Sequence, residues 1–180
     1  IHMGDQDFVN VPVSKLLSNS YAKERSANIN LSKATKSQTM PSVTSISEEG
    51  TETTHFSIID EYGNRVAATL SINTTFGSGF VAGNTGVLLN NHMNDFALTP
   101  NSPNIYGLVG NTKNSIEPGK RPLSSMSPTF VEDDRGILVI GTPGGSRIIS
   151  MVILGILEYL IESKPNLLDI VSNLDIVFLV

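Results

Sequence analysis

A hydroxyl side chain is a weak nucleophile unless a base lies within hydrogen-bond reach, and Thr53 stands where the chain itself could supply one. It follows a stretch, Ser32 to Thr51, that is rich in Ser, Thr and Lys, contains Pro41 and Gly50, and has no periodicity. That is the composition of a long exposed linker. A cut between Glu52 and Thr53 would give the threonine a free α-amino group, whose pKa of about 7.7–8.0 lies close to working pH. The chemistry would be attack on an acyl carbon by a threonine that carries its own base. Taken alone, a junction of linker and strand is far more often a surface turn.

Other chemistries find less support. The sequence has no cysteine, which excludes disulfides, thiolate metal sites and a cysteine nucleophile. Among its 3 histidines, His55 and His92 are too sparse for a metal site and have no carboxylate–histidine spacing. Neither a metal nor an organic cofactor is expected. The 12 Lys and Arg residues are scattered and the net charge is -5, against the clustered basic residues that nucleic acid requires. The longest apolar run, Met151 to Leu157, includes Gly155 and is far short of a membrane span. Ile1 to Val11 lacks the basic region followed by an apolar region that marks a secretion signal. A chain of 180 residues, 39% hydrophobic and 16% charged, is long enough to bury a sizeable core.

The elements that would position Thr53 follow from pattern. Val13 to Ile29 reads as a surface helix, with Ser14 near its start and Val13, Leu16, Leu17 and Tyr21 near helical spacing. Thr54 to Asp60 and Arg65 to Ile72 are strand-like around the turn Glu61-Tyr62-Gly63-Asn64, a hairpin. Gly86 to Leu89 and Gly136 to Ile140 are further candidates for short buried strands. Thr99 to Pro122 is a polar loop rich in Pro and Gly, too long for a mere connection, of the kind that is either a lid or disordered. Ser146 to Ile161 reads as a helix apolar nearly all round, as a helix buried between layers would be. Pro165 ends it, Leu167 to Asn173 is a possible short helix, and Leu174 to Val180 ends on an apolar tail.

Read together, the motifs narrow the choice. Thr53-Thr54-His55-Phe56-Ser57, Asp60, Gly63-Asn64 and Asn73-Thr74-Thr75-Phe76-Gly77 occur in that order. They are followed by Leu88-Leu89-Asn90-Asn91 with Asp95-Phe96, Pro103-Asn104 with Tyr106-Gly107-Leu108-Val109-Gly110, and Lys120-Arg121-Pro122-Leu123-Ser124-Ser125-Met126-Ser127-Pro128. Pro143-Gly144-Gly145-Ser146-Arg147-Ile148-Ile149 completes the set. This series resembles the small subunit of the γ-glutamyltransferases, and Gly4-Asp5, Asp7-Phe8-Val9 and Tyr21-Ala22 resemble the end of that family's large subunit. The resemblance covers about residues 4 to 173. It divides the chain into a large-subunit tail with its linker, 1–52, and a small-subunit catalytic region, 53–180.

The resemblance implies an α+β fold, part of the four-layer αββα sandwich of the N-terminal-nucleophile hydrolases. It implies that Thr53 attacks the carbonyl of Glu52, that the ester formed is hydrolysed, and that the freed Thr53 then takes the γ-glutamyl group of glutathione or a similar amide. The group passes to water or an acceptor amino acid. Gly144 and Gly145 match the oxyanion-hole pair, where backbone N–H groups opening a helix meet developing negative charge; a tight turn is the other reading of two such glycines. Ser71 stands where the family usually carries the threonine that bonds the nucleophile, and serine keeps the hydroxyl for that role. Ser124 and Ser125 match the pair that binds the substrate α-carboxylate, Asp95 the acid that pairs with its α-ammonium, and Asn73 a side chain at the same amino end. Tyr106 matches an aromatic gate on a lid. His92 stands where the family carries glutamine or glutamate beside the ammonium; a neutral imidazole can accept a hydrogen bond there, while a protonated one repels the ammonium.

By the same resemblance, most of a large subunit would precede this chain, and further strands would follow Asn173. The expectation is therefore of an enzyme part, truncated at both ends and inactive alone, with a missing large-subunit portion as its partner. A periplasmic or secreted location is implied only by the resemblance. Two alternatives remain: a related acylase for glutaryl-type side chains or poly-γ-glutamate, and a non-enzymatic remnant that binds a partner chain.

Overall fold

The computed structural model describes residues 2–35, 53–99, 102, 109–161 and 178–179. The expectations for most of the linker, the possible helix at Leu167 to Asn173 and nearly all of the apolar tail fall outside these residues. The chain divides into two compact units, one formed by 1–48 with 92–123 and the other by 49–91 with 124–180.

In the first unit the expected long helix is two short ones, α1 (Val13–Leu16) and α2 (Asn19–Ser26). The break has a local cause. Ser18 takes an extended conformation and its hydroxyl accepts a hydrogen bond from the Tyr21 amide at 3.2 Å, capping α2, and an N-cap residue cannot also lie inside a helix. The unit is held from its N-terminal end. The Asp5 side chain is buried and accepts hydrogen bonds from the Arg121 backbone N–H at 2.9 Å, from Nε at 2.9 Å and from Nη2 at 2.6 Å. The Arg121 side-chain hydrogen bonds, aided by that backbone bond, hold the Asp5 carboxyl well below the usual carboxylate range. Gly4 is required beside it, because a Cβ there would lie 2.4 Å from the Lys113 carbonyl oxygen.

Among the described residues, the second unit contains two antiparallel sheets. In the first, β1 (Thr53–Ile59) pairs with β2 (Arg65–Ser71) in a register that sets Thr53 opposite Ser71 and Ile59 opposite Arg65. This is the expected hairpin, and Asp60 builds its turn. The Asp60 Oδ1 accepts from the amides of Tyr62 at 2.9 Å and Asn64 at 2.8 Å, and Gly63 takes φ 81°, which a side chain other than Gly or Asn adopts at a cost. In the second sheet, β4 (Gly136–Gly141) lies between β3 (Thr129–Asp133) and β5 (Phe178–Leu179). The strand expected at 136–140 is present. By contrast, 86–89 forms no strand; only Leu88 makes a bridge, to Val81, and Val87 and Leu89 are exposed. Without a sheet to receive it, the run is a loop edge.

A 14-residue helix, α3 (Ile148–Ile161), packs on the second sheet, preceded by a 3-10 turn at Gly145–Arg147. Ile148, Val152, Gly155 and Tyr159 form its buried stripe, and the first, second and fourth join Leu138 and Ile140 in the core, with Met126, Val131, Met151 and Ile156 around them. The expectation that α3 is buried on all sides is corrected. Ile149, Ile153, Leu154, Leu157, Leu160 and Ile161 are exposed in this structure, because the sheet covers one face only. At the far end Arg135 donates to Asp133 Oδ2 through Nε at 2.9 Å and to the Tyr159 carbonyl through Nη1 at 2.8 Å, with its guanidinium 4.2 Å from the Tyr159 ring centre. The turn between β3 and β4 is thereby fastened to the end of α3.

Ile140 is fully buried and Ile153 half-exposed, so truncation should separate them. Ile140→Ala should cost about 2–5 kcal/mol in urea denaturation, and Ile153→Ala no more than about 0.5 kcal/mol. Equal costs would mean that α3 packs through a different face.

Candidate active site

Thr53 opens β1, half-buried, and its Oγ1 donates to Ser71 Oγ at 3.1 Å across the first rung of the hairpin. Ser71 Oγ also accepts from the Asn73 amide at 2.9 Å. Asn73 itself is buried, with φ 78°, a left-handed conformation that asparagine tolerates better than other non-glycine residues. Its Nδ2 donates to the Asn91 carbonyl at 3.3 Å, and Asn91 in turn binds Thr74 through Nδ2 to Oγ1 at 2.8 Å. Nucleophile candidate, its hydroxyl neighbour and the strained Asn73 thus form one continuous chain of polar contacts. Three of the residues named from sequence are brought together here.

The glycine pair lies where β4 gives way to α3. Gly144 has φ 123° and Gly145 φ 55°, so both occupy the region that favours glycine. Neither N–H donates to any acceptor among the described residues. Their carbonyls are engaged: that of Gly144 accepts from the Arg147 amide at 3.0 Å, and that of Gly145 from the Ile148 amide and from Ser125 Oγ at 2.6 Å. Two free N–H groups on a loop anchored by its carbonyls can serve an oxyanion.

The serine pair divides. Ser125 directs its hydroxyl hydrogen to the Gly145 carbonyl, whereas exposed Ser124 accepts from the Met126 amide at 3.1 Å and keeps its hydrogen to donate. A hydroxyl has one hydrogen, so in this arrangement the two serines do different things.

Asp95 and His92 belong to the first unit. They share a short 3-10 turn, His92–Asp95, in which His92 Nδ1 meets Asp95 Oδ2 at 2.7 Å. The Asp95 carbonyl also accepts from Asn114 Nδ2 at 2.8 Å. The imidazole therefore occupies one oxygen of the very carboxylate expected to meet an ammonium. Tyr106 and Glu52 lie outside the described residues.

Sequence reasoning counted His55 in the first motif and in rejecting a metal site, and gave it no role at the site. It is 1% exposed on the same face of β1 as Thr53, with Nδ1 2.8 Å from Thr69 Oγ1 and Nε2 3.1 Å from Ser57 Oγ. Burial lowers its pKa. The available signal was its place two residues after Thr53, which in a strand means the same face. Among the described residues no group of His, Cys, Asp and Glu could hold a metal, and no helix is long and apolar enough to cross a membrane.

Residues 1–176 match the family described as gamma-glutamyltranspeptidase. The glutathione hydrolase proenzyme of Escherichia coli K12 is 50% identical over 153 residues, 84% of this chain and 26% of that protein. The corresponding proenzyme of Pseudomonas sp. strain A14 is 46% identical over 173 residues, 95% of this chain and 30% of that protein. Among solved structures, the gamma-glutamyltranspeptidase of Pseudomonas nitroreducens complexed with L-DON matches with a TM-score of 0.59 and 48% identity, covering 66% of this chain and 61% of that one. The chain belongs to the γ-glutamyltranspeptidase family, with an α+β fold that matches part of the family structure. It spans 26–30% of the length of these two proenzymes.

The glycine geometry is directly testable. Gly144→Ala would place a β-carbon on a residue at φ 123° and should cost about 1–3 kcal/mol of stability, read by urea denaturation. An unchanged midpoint would mean that the loop has another conformation.

Proposed function

We propose that this chain carries the nucleophile of a γ-glutamyl amide hydrolase or transferase, with Thr53 as the attacking residue. The observation that carries the reading is the Thr53–Ser71 hydroxyl pair at 3.1 Å on the first rung of the hairpin. It is supported by the family membership and by the unengaged N–H pair of Gly144 and Gly145. In maturation, Thr53 Oγ1 attacks the Glu52 carbonyl carbon, the Glu52–Thr53 C–N bond breaks, and the nitrogen takes the proton. Water then hydrolyses the ester, leaving a Glu52 carboxylate and a free Thr53 amine. The same amine serves as base in turnover, when the hydroxyl attacks the γ-carbonyl of glutathione or a related compound. The γ-amide C–N bond breaks and the leaving amine takes the proton. Water or an acceptor amino acid then takes the γ-glutamyl group from the ester. The Gly144 and Gly145 N–H groups stabilise the tetrahedral oxyanion. Loss of one such donor typically costs about 100- to 1000-fold in rate.

Substrate roles follow residue by residue. Asp95 pairs with the α-ammonium, Asn73 assists at the same end, and Ser124 donates to the α-carboxylate. Ser125 holds Gly145 in place, and Tyr106 covers the substrate. An acylase for glutaryl side chains would have no ammonium for Asp95 to meet. The products of maturation are 1–52 and 53–180, the assembled protein is a four-layer αββα sandwich, and its location is periplasmic or secreted. The second reading, a non-enzymatic fragment that binds a partner chain, draws on the exposed apolar residues of α3.

The test uses the chain alone and together with the large-subunit part of a relative. Intact mass should show a cut only between 52 and 53, absent in Thr53→Ala, and the combination should release amine from a γ-glutamyl anilide above the Thr53→Ala blank. The chain alone should show no turnover above that blank. A cut elsewhere, or one that survives Thr53→Ala, rules out Thr53 as the nucleophile. A clean cut with no turnover in the combination favours the second reading.

His92 generates a separate expectation. Because its imidazole holds Asp95 Oδ2 at 2.7 Å, His92→Gln in the combined protein should lower KM for the γ-glutamyl substrate and leave kcat little changed, the signature of altered ground-state binding. A fall in kcat with KM constant would place His92 in the chemical step instead.

A further inference from the structure

Resting on the reading of Thr53 as nucleophile, we propose that His55 is a positioning residue that fixes the nucleophile strand against the root of the loop carrying Gly144 and Gly145. Four observations within the second unit carry it. His55 lies two residues beyond Thr53 on the same face of β1, and it is 1% exposed. Its ring lies on Gly141, the last residue of β4: a Cβ at Gly141 would come 2.1 Å from Nδ1, 2.4 Å from Cε1 and 2.6 Å from Cγ. Both ring nitrogens are held, Nδ1 by Thr69 Oγ1 at 2.8 Å and Nε2 by Ser57 Oγ at 3.1 Å. Finally, Gly141 leads through Thr142, which is fully buried, and then Pro143 directly to Gly144.

The physical logic is that of a flat spacer with its rotation locked. An alanine at 141 has no room, so the glycine lets the ring approach the β4 backbone as closely as two packed groups can. Hydrogen bonds at both nitrogens then prevent the ring from turning, so the separation between β1 and the end of β4 takes one value. Thr53 and the glycine pair lie on either side of this contact, each a few residues away along the chain. A phenyl ring would fill the same space without fixing its own orientation. His55 touches no substrate in this account and acts only through the two segments it joins.

The test separates packing from positioning. In the full chain, His55→Phe retains the ring and should leave the urea midpoint at or above that of the parent. It should nevertheless shift the amide resonances of Thr53, Gly144 and Gly145. In the chain combined with the large-subunit part of a relative, the same variant should slow the cut before Thr53 by about 100-fold, the effect of a misplacement of about 1 Å. His55→Asn, which can still reach Thr69, should recover part of that rate despite lower stability. Gly141→Ala, which pushes the ring from the opposite side, should also slow the cut. Unchanged resonances with a parental rate in His55→Phe, or an asparagine variant no faster than the phenylalanine one, would reduce His55 to core packing and overturn the proposal. Failure of the Thr53 reading looks different: the cut is absent from the parent or survives Thr53→Ala. In that case the resonances of Thr53, Gly144 and Gly145 still decide whether the ring couples strand and loop.

Discussion

The β1–β2 hairpin turns its polar face inward. Thr53, His55, Ser57, Thr69 and Ser71 are buried or half-buried, while Phe56, Ile58, Val66 and Leu70 on the other face are exposed. A buried polar face is costly unless each group finds a partner, and here the partners are cross-strand: Thr53 with Ser71, and His55 with Thr69 and Ser57. The register is therefore constrained by hydrogen bonds as well as by the turn. A slip of one residue would set apolar side chains against the imidazole and expose the hydroxyls. The position of Thr53 depends on this pairing.

Protonation acts on the same pairing. His55 is buried with a lowered pKa, so the folded protein favours the neutral ring more than the unfolded chain does. Its contribution to stability is full above the unfolded value of about 6.5 and is lost as pH falls through the lower folded value. Asp5 in the first unit has the depressed-carboxylate form of the same linkage: stability present above the unfolded value of about 3.9 is lost as pH falls through its lower folded value. Both units thus hold their key polar contact in the charge state that prevails near neutrality.

Around the site, backbone conformation is specified by residue type at few positions. Gly144 and Gly145 hold positive φ on a loop whose carbonyls are tied by Ser125, Arg147 and Ile148. Asn73 holds φ 78° because Ser71, Asn91 and the chain on either side determine its place. Strain of this kind persists where surroundings over-determine a residue, and it clusters at functional sites. The apolar outer faces of the hairpin and of α3 add nothing to this geometry. They lie on the side of each element away from the second unit's core.

Sequence by itself determined the local elements with strong short-range signals. The hairpin was legible because alternation and the Asp60-to-Asn64 turn agree, and α3 because the largely apolar stretch from Ile148 has no proline before Pro165. Thr53, Asn73 and the glycine pair stood in an ordered set of motifs, and Ser71 was named by its position in the resemblance. The strand β3 was not legible, since Thr129 to Asp133 owes its state to pairing with β4. The division of α1 from α2 turned on one serine choosing a capping conformation. Gly86 to Leu89 has the composition of a strand but pairs only through the single bridge of Leu88 to Val81. What only tertiary structure decided is which groups spend their hydrogen bonds on one another: Ser125 on Gly145, His92 on Asp95, and His55 on Thr69 and Ser57 above Gly141. Such pairings join residues from 2 to 20 positions apart in sequence. Periodicity, the principal signal in a sequence, carries no information about which polar atom will face which.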